Sequence, residues 1–148
     1  MRLTEFANTS QDFVIKESSD VREHKDTFIE MFEKFLPLAM QYIELESLPE
    51  MKFESHVKDT HQPTFGKYQN GSHVLHVSLM NRHPNDILRT VAHELVHYKQ
   101  DIMKQLHDGS GETGSKHENE ANAIAGVVMR HFNKEHPEYL NSTPIIDV

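Results

Sequence analysis

Apolar side chains recur at three- and four-residue steps in the first third of the chain, which predicts a long amphipathic helix. The recurring residues are Phe28, Met31, Phe32, Phe35, Leu36, Met40 and Ile43. Three good N-cap residues come before them, Ser18, Ser19 and Asp20, so we expect the helix to start there. Pro37 lies within the pattern and predicts a kink or a break. Residues 1–18 have no apolar period and are expected to form a loose arm.

Between residues 51 and 80, apolar and polar positions alternate, which is typical of β-strands with one buried face. Asn70 and Gly71 separate two of these runs and suit the positive φ angles of a type I′ hairpin. We therefore predict a small antiparallel sheet. In its last strand, within residues 73–80, three side chains are expected to face the core, namely Leu75, Val77 and Leu79.

Two further helices are predicted in the second half of the chain. The first runs from about 85 to 104, because Pro84 precedes a sustained apolar period. Three glycines mark 106–116 as a loop, and the last helix is expected at about 117–132. Together the patterns predict one α+β domain over 1–148, with a small antiparallel sheet packed on the middle helix and flanked by the N- and C-terminal helices.

Composition narrows the classes of site and partner. The 148 residues are 36% apolar and 26% charged, which suits one domain with a modest core. No cysteine is present, which excludes disulfides, thiolate zinc sites and cysteine nucleophiles, so a metal ion would have to bind His, Asp, Glu or Asn. Twenty-three acidic against fifteen basic residues give a net charge of −8, which argues against a nucleic-acid partner. The N-terminus lacks the apolar segment of a signal peptide and no run is long enough to span a membrane, so we expect a cytoplasmic protein.

The middle helix carries the clearest chemical signal, because residues 93–97 read His-Glu-Leu-Val-His and match the H-E-x-x-H pattern. Residues four apart on a helix lie one above the other, so His93 and His97 can reach the same metal ion. Glu94 and Asp101 fall in the same quadrant of the helix, whereas the opposite side is almost wholly apolar. We expect the apolar side of this helix, its back, to be buried. The opposite side, its front, carries His93, Glu94 and His97 and is expected to be chemically active.

A third metal ligand is needed, because catalytic zinc usually has three protein ligands and one open position. The third histidine of metzincins would be at position 103, which is Met103, and a site of one cysteine and two histidines is excluded because the chain has no cysteine. The remaining pattern takes a glutamate from the following helix. Glu118 is the first candidate and Glu120 the second, while His117, Asp101 or a non-protein ligand remain open.

The pattern H-E-x-x-H at 93–97, followed by E-x-x-A-N at 118–122, resembles the gluzincin metallopeptidases. It is most similar to their single-domain members, the minigluzincins and the metallopeptidases that cleave phage repressors. In those proteins the first glutamate of the downstream motif is the metal ligand, so the resemblance implies that Glu118 is the third ligand. It also implies zinc as the cofactor and a protein or peptide as the substrate. The thermolysin-type variant has its ligand in Asn-Glu-Ala, which matches 119–121 and keeps Glu120 as the alternative.

These residues predict a zinc-dependent metallopeptidase with Glu94 as the general base. Zinc lowers the pKa of a bound water to roughly 7, and the glutamate can then take its proton and pass it to the leaving amine. The predicted metal ligands are His93, His97 and Glu118. Asn122 lies one helical turn after Glu118 and is expected to hydrogen-bond a ligand histidine. The alternative hypothesis is a non-catalytic, metal-stabilised interaction protein that retains the site.

Two further parts of the site are less well specified by the sequence. Four residues could stabilise an oxyanion on chemistry alone, although a surface position is the simpler expectation for each: His76, His107, His131 and Tyr139. The strand within 73–80 could be the sheet edge to which an extended peptide adds, or an ordinary hairpin strand.

Overall fold

Three α-helices and two small sheets make up the part of the chain that the computed structural model describes, which is residues 19–59, 62–103 and 115–141. The elements are, in order, α1 (Ser19–Ile43), β1 (Glu50–Glu54), β2 (Val57–Asp59), β3 (Gln62–Thr64), β4 (Gly66–Tyr68), β5 (Val74–Ser78), α2 (Pro84–Ile102), α3 (Lys116–Glu135) and a 3-10 helix (Pro137–Asn141). The predicted α+β class is confirmed. The expected arm at 1–18 and most of the expected loop at 106–116 lie outside the described residues.

The main sheet has the order β1-β5-β4, and it is mixed rather than antiparallel. β4 pairs antiparallel with β5, but β1 pairs parallel with β5, in a register that places Phe53 opposite Val77. The prediction of an antiparallel sheet is therefore wrong for β1. Alternation of apolar residues specifies which face of a strand is buried and not the direction of its neighbour. A separate antiparallel pair is formed by β2 and β3.

β5 is the central strand of the main sheet, so the suggestion that it offers a free edge to a peptide is wrong. Leu75, Val77 and Leu79 are fully buried, as predicted. The outer strands on either side of β5 are β1 and the short β4, and β4 packs on α2. The sheet edge that faces the side of α2 with the two histidines therefore belongs to β4 and not to β5.

The turn between β4 and β5 differs from the predicted type I′ hairpin. Gly71 has a φ of +82°, but Asn70 is not among the residues with positive φ. The backbone N–H of Ser72 donates to the carbonyl of Gln69 at 3.0 Å, which makes Gly71 the third residue of the turn. A positive φ at that position is typical of a type II turn, where glycine avoids the strain that a side chain would cause.

The core lies between α1, the main sheet and the apolar back of α2. Phe32 of α1 packs edge-on against Phe53 of β1, with ring centroids 5.5 Å apart, and Phe35 packs in the same way against Phe132 of α3 at 6.0 Å. α1 is helical throughout Ser19–Ile43, so Pro37 does not end it. Within the described ranges, no helix is both long enough and apolar enough to cross a membrane.

The starts of α2 and α3 are fixed by side-chain caps. The imidazole of His83 accepts a hydrogen bond from the backbone N–H of Asn85 at 3.1 Å, and Pro84 occupies the first turn of α2. Ser115 caps α3 by accepting from the backbone N–H of Glu118 at 3.1 Å. The buried small side chain of Ala121 allows α3 to lie close to α2. The first turns of α3 therefore face the front of α2.

Candidate metal centre

Three side chains converge where α3 crosses the front of α2. The Nε2 atoms of His93 and His97 are 3.2 Å apart. One carboxylate oxygen of Glu118 lies 3.0 Å from the Nε2 of His93, and the other lies 2.9 Å from the Nε2 of His97. All these atoms fall within 4.8 Å of one another. Two imidazoles and a carboxylate form a donor set that zinc commonly takes, so the residues fit the group that the sequence predicts.

Gln100 holds the ring of His97 from behind, a contact that the sequence analysis missed. Its side-chain oxygen lies 2.8 Å from the Nδ1 of His97, and the residue is only 1% exposed. A carbonyl acceptor at Nδ1 requires the proton there, which leaves the Nε2 lone pair available to a metal ion. The signal in the sequence is the spacing of three between His97 and Gln100, which places the two on neighbouring turns of one helix.

The same Gln100 amide contacts the two other candidate residues on α3. Its Nε2 donates to a carboxylate oxygen of Glu120 at 2.9 Å and to the backbone carbonyl of His117 at 3.0 Å. Glu120 is thus a partner of Gln100, and it is not one of the three converging side chains. The geometry favours Glu118 over Glu120 as the third ligand.

The ring of His93 is hydrogen-bonded to the side chain of Asn122, the contact predicted from the spacing on α3. Burial lowers the pKa of His93 below its ordinary value, and the positive charge that His97 can carry acts in the same direction. Glu118 and Asn122 oppose this shift without cancelling it. The neutral imidazole, which is the form that binds a metal ion, is therefore favoured.

Asp101 lies on the predicted face of α2, but its contacts differ from those expected of a metal ligand. Its carboxylate accepts hydrogen bonds from the hydroxyl of Tyr68 and, at 2.8 Å, from the backbone N–H of Gly71. Burial raises the pKa of Tyr68, and the hydrogen bond to Asp101 adds to this effect. Asp101 therefore ties the β4–β5 hairpin to α2 and is not one of the converging side chains.

The candidate oxyanion donors in the described residues lie elsewhere. His76 pairs with Glu54, with 2.8 Å between Nδ1 and the carboxylate oxygen. His131 stacks on Tyr42 with ring centroids 4.4 Å apart. Tyr139 hydrogen-bonds Glu30 and Lys34. None of these three side chains lines the cleft described below, and His107 lies outside the described residues.

A cleft of about 550 Å³ opens in front of the three converging side chains, between β4, α2 and α3. Glu94 lines it and is buried, with 6% of its surface exposed. Its Oε1 lies 3.9 Å from the Nε2 of His93, so the carboxylate is close to the candidate metal position without belonging to the converging group. This is the placement expected of a group that exchanges protons beside a metal ion.

Gly66 in β4 sets the distance between the edge strand and α2, and sequence analysis did not single it out. A Cβ at this position would lie 2.5 Å from the Cγ2 of Thr90 and 3.4 Å from the Cγ of Glu94. A glycine inside a strand often marks such a close approach, which is the signal that could have identified it. The strand can lie against α2 only because residue 66 has no side chain.

We expect Gly66→Ala to lower the free energy of unfolding by about 1–3 kcal/mol, because the new methyl group overlaps Thr90. Adding Thr90→Ser, which removes the overlapping methyl group and keeps the hydroxyl, should recover part of this loss in a double-mutant cycle followed by urea denaturation. Gly126→Ala is the control, since its new Cβ would meet nothing closer than 3.9 Å. Additive effects of Gly66→Ala and Thr90→Ser would contradict the assigned contact.

A buried guanidinium, that of Arg82, joins the end of β5 to α2, and the sequence pattern did not reveal it. Arg82 is 8% exposed and donates to the carbonyl of Ser78 at 2.8 Å and to the hydroxyl of Thr90 at 2.5 Å. Burial lowers the pKa of Arg82 to about 10. Its guanidinium carbon also lies 4.4 Å from the ring centroid of Phe65, a side chain that is 67% exposed and lines the cleft.

Comparisons with models of protein families, with characterised proteins and with solved structures find no match to this chain. The resemblance to gluzincin metallopeptidases thus stays a prediction from the motif residues.

Proposed function

We propose that this protein is a zinc-dependent metallopeptidase with His93, His97 and Glu118 as its metal ligands and Glu94 as its general base. The observation that carries the proposal is the position of Glu94, buried in the cleft and 3.9 Å from a converging imidazole without joining the converging group. A structural metal site needs no such neighbour, whereas hydrolysis needs a group that can accept and return a proton.

The proposed role of each side chain follows from its contacts. A zinc ion held here would polarise the scissile carbonyl and make the attacking water acidic. Glu94 would take the proton of that water and deliver it to the leaving nitrogen. Gln100 and Asn122 would keep the two imidazoles in orientation through their hydrogen bonds.

The short strand β4 supports a peptide as the substrate class. It borders the cleft, and in the sheet it pairs with β5 alone. An extended peptide can add to such an edge through backbone hydrogen bonds, which need no particular side-chain sequence. The hydrogen bonds of Asp101 to the Tyr68 hydroxyl and to the backbone N–H of Gly71 keep this edge against α2.

Metal analysis of matched variants tests the ligand assignment. Untagged parent protein is expected to hold about one zinc per chain. Glu120→Ala removes only a partner of Gln100 and should weaken zinc binding by no more than the roughly 10–100-fold typical of outer hydrogen-bond partners. Glu118→Ala removes a ligand and should weaken it further, as measured by competition with a chromophoric chelator. Equal losses in the two variants would contradict the assignment of Glu118.

The activity itself is tested by incubating the parent with a mixed peptide pool and identifying products by mass spectrometry. Hydrolysis should stop when the metal is chelated and return when zinc is added. Cleavage that continues at full rate in excess chelator would exclude the proposed reaction.

A further inference from the structure

Arg89 occupies a notable position on the front of α2. It precedes His93 by four residues, so it lies on the same face one turn earlier, and it lines the same cleft. Its Nη1 would be 3.9 Å from a Cβ built on Gly126 of α3, so the side chain extends towards that helix. The residue is exposed, and across 19–59, 62–103 and 115–141 its guanidinium has no hydrogen bond or ion pair.

The surroundings of Arg89 leave room for a ligand. Ala125 lines the cleft beside it, and Gly126 presents no side chain at all. At these two positions α3 therefore has no polar side chain that could accept a hydrogen bond from the guanidinium. Among the described residues the five N–H donors of this guanidinium meet no acceptor, and their planar arrangement matches a carboxylate.

The charge of the cleft points to an anionic ligand. Its charged lining residues are Lys67, Arg89, Glu94 and Glu118. With a divalent cation bound, the two carboxylates would be offset by the ion and the two basic side chains would give the cleft a net positive charge. The chain as a whole carries a net charge of −8, so a cleft with its cation bound would differ in sign from the protein as a whole.

We propose that Arg89 is a specificity-determining residue that binds a carboxylate of the peptide substrate. This inference rests on the proposed peptidase function and adds a substrate class to it. Arginine pairs with a carboxylate through two parallel hydrogen bonds, which fix orientation as well as charge. The carboxylate belongs either to an aspartate or glutamate side chain or to the C-terminus of the peptide.

Peptide binding to the zinc-loaded Glu94→Gln variant tests the proposal without turnover. Three fluorescent peptides of one length are compared by anisotropy: one with an internal glutamate and an amidated C-terminus, one neutral with a free C-terminus, and one neutral and amidated. Adding Arg89→Gln should weaken binding of one of the first two by about tenfold and leave the third unchanged. The peptide that loses affinity identifies the source of the carboxylate.

Arg130→Gln is the matched control, because Arg130 is exposed on α3 and lines no part of the cleft. It changes the net charge equally and should leave all three affinities unchanged. Equal losses for all peptides, the same losses in the control, or no binding of either carboxylate peptide would overturn the role of Arg89.

The two proposals fail in different ways. Suppose that the wild-type protein hydrolyses peptides and that Arg89→Gln leaves its preference for carboxylate-bearing peptides, measured as kcat/KM, unchanged. The carboxylate site is then wrong and the peptidase function stands. If carboxylate peptides bind through Arg89 and no peptide is hydrolysed, the peptidase function is wrong and the binding site stands.

Discussion

Glu94→Gln is expected to bind zinc as the parent does and to hydrolyse peptides about 10²- to 10⁴-fold more slowly. The amide has the size and nearly the shape of the carboxylate, so the buried position beside His93 should be filled without repacking. It cannot accept the proton of the attacking water. Because Glu94 lies outside the converging group, the loss should appear in kcat, while the zinc content and the melting temperature stay near those of the parent.

Glu120→Gln is the control for this experiment, since it changes a carboxylate of the same region that touches Gln100 and not the metal position. Its kcat should stay within a few-fold of the parent value. Hydrolysis that survives Glu94→Gln would remove the assigned role. A parent that binds zinc, loses melting temperature on chelation and cleaves no peptide would instead favour the metal-stabilised interaction protein.

The convergence of the three candidate ligands was predictable because most of it depends on local geometry. A spacing of four residues places His93 and His97 on one face of any α-helix. Glu118 lies in the first turn of the next helix, beside a serine that caps it. Only the approach of α3 to α2 is a long-range feature, and the small buried side chain of Ala121 permits it.

Asp101 is a residue whose contacts could not be predicted from local geometry. A helical wheel gives the face on which a residue lies but not which element is packed there. Asp101 is two turns beyond His93, opposite the β4–β5 turn, and its carboxylate accepts from the backbone N–H of Gly71. That contact exists only because the hairpin folds against α2. No pattern within the sequence of the helix predicts this packing.

The sheet order and the close approach at Gly66 were not predictable for the same reason. The parallel pairing of β1 with β5 joins segments whose partners, such as Phe53 and Val77, are far apart in sequence. The Cβ that Gly66 lacks would collide with Thr90 of α2, a residue on another element. Alternation and turn residues specify strands and faces, whereas order and distance arise when the elements pack together.

Arg82→Met is expected to lower the free energy of unfolding of the metal-free protein by about 3 kcal/mol, as measured by urea denaturation. The guanidinium donates to the carbonyls of Ser78 and Asp86 at 2.8 and 3.0 Å, and methionine can satisfy neither acceptor. The bond to Thr90 is lost as well. Hydrogen bonds from a charged donor contribute more than neutral ones, but burial of the charge, visible in the lowered pKa of Arg82, offsets part of their gain.

Arg82→Lys separates the charge from the shape of the group. A single ammonium keeps the charge but cannot reach the acceptors on β5 and on α2 together, so about half of the loss should remain. Arg130→Met, at an exposed position, should change the free energy of unfolding by less than about 0.5 kcal/mol. If Arg82→Met were as stable as the parent, the free-energy cost of burying the guanidinium would equal the free energy gained from its hydrogen bonds. The end of β5 would then be held to α2 by apolar packing alone. If Arg82→Lys were as stable as the parent, the charge of the side chain, and not the planar shape of the guanidinium, would hold β5 to α2.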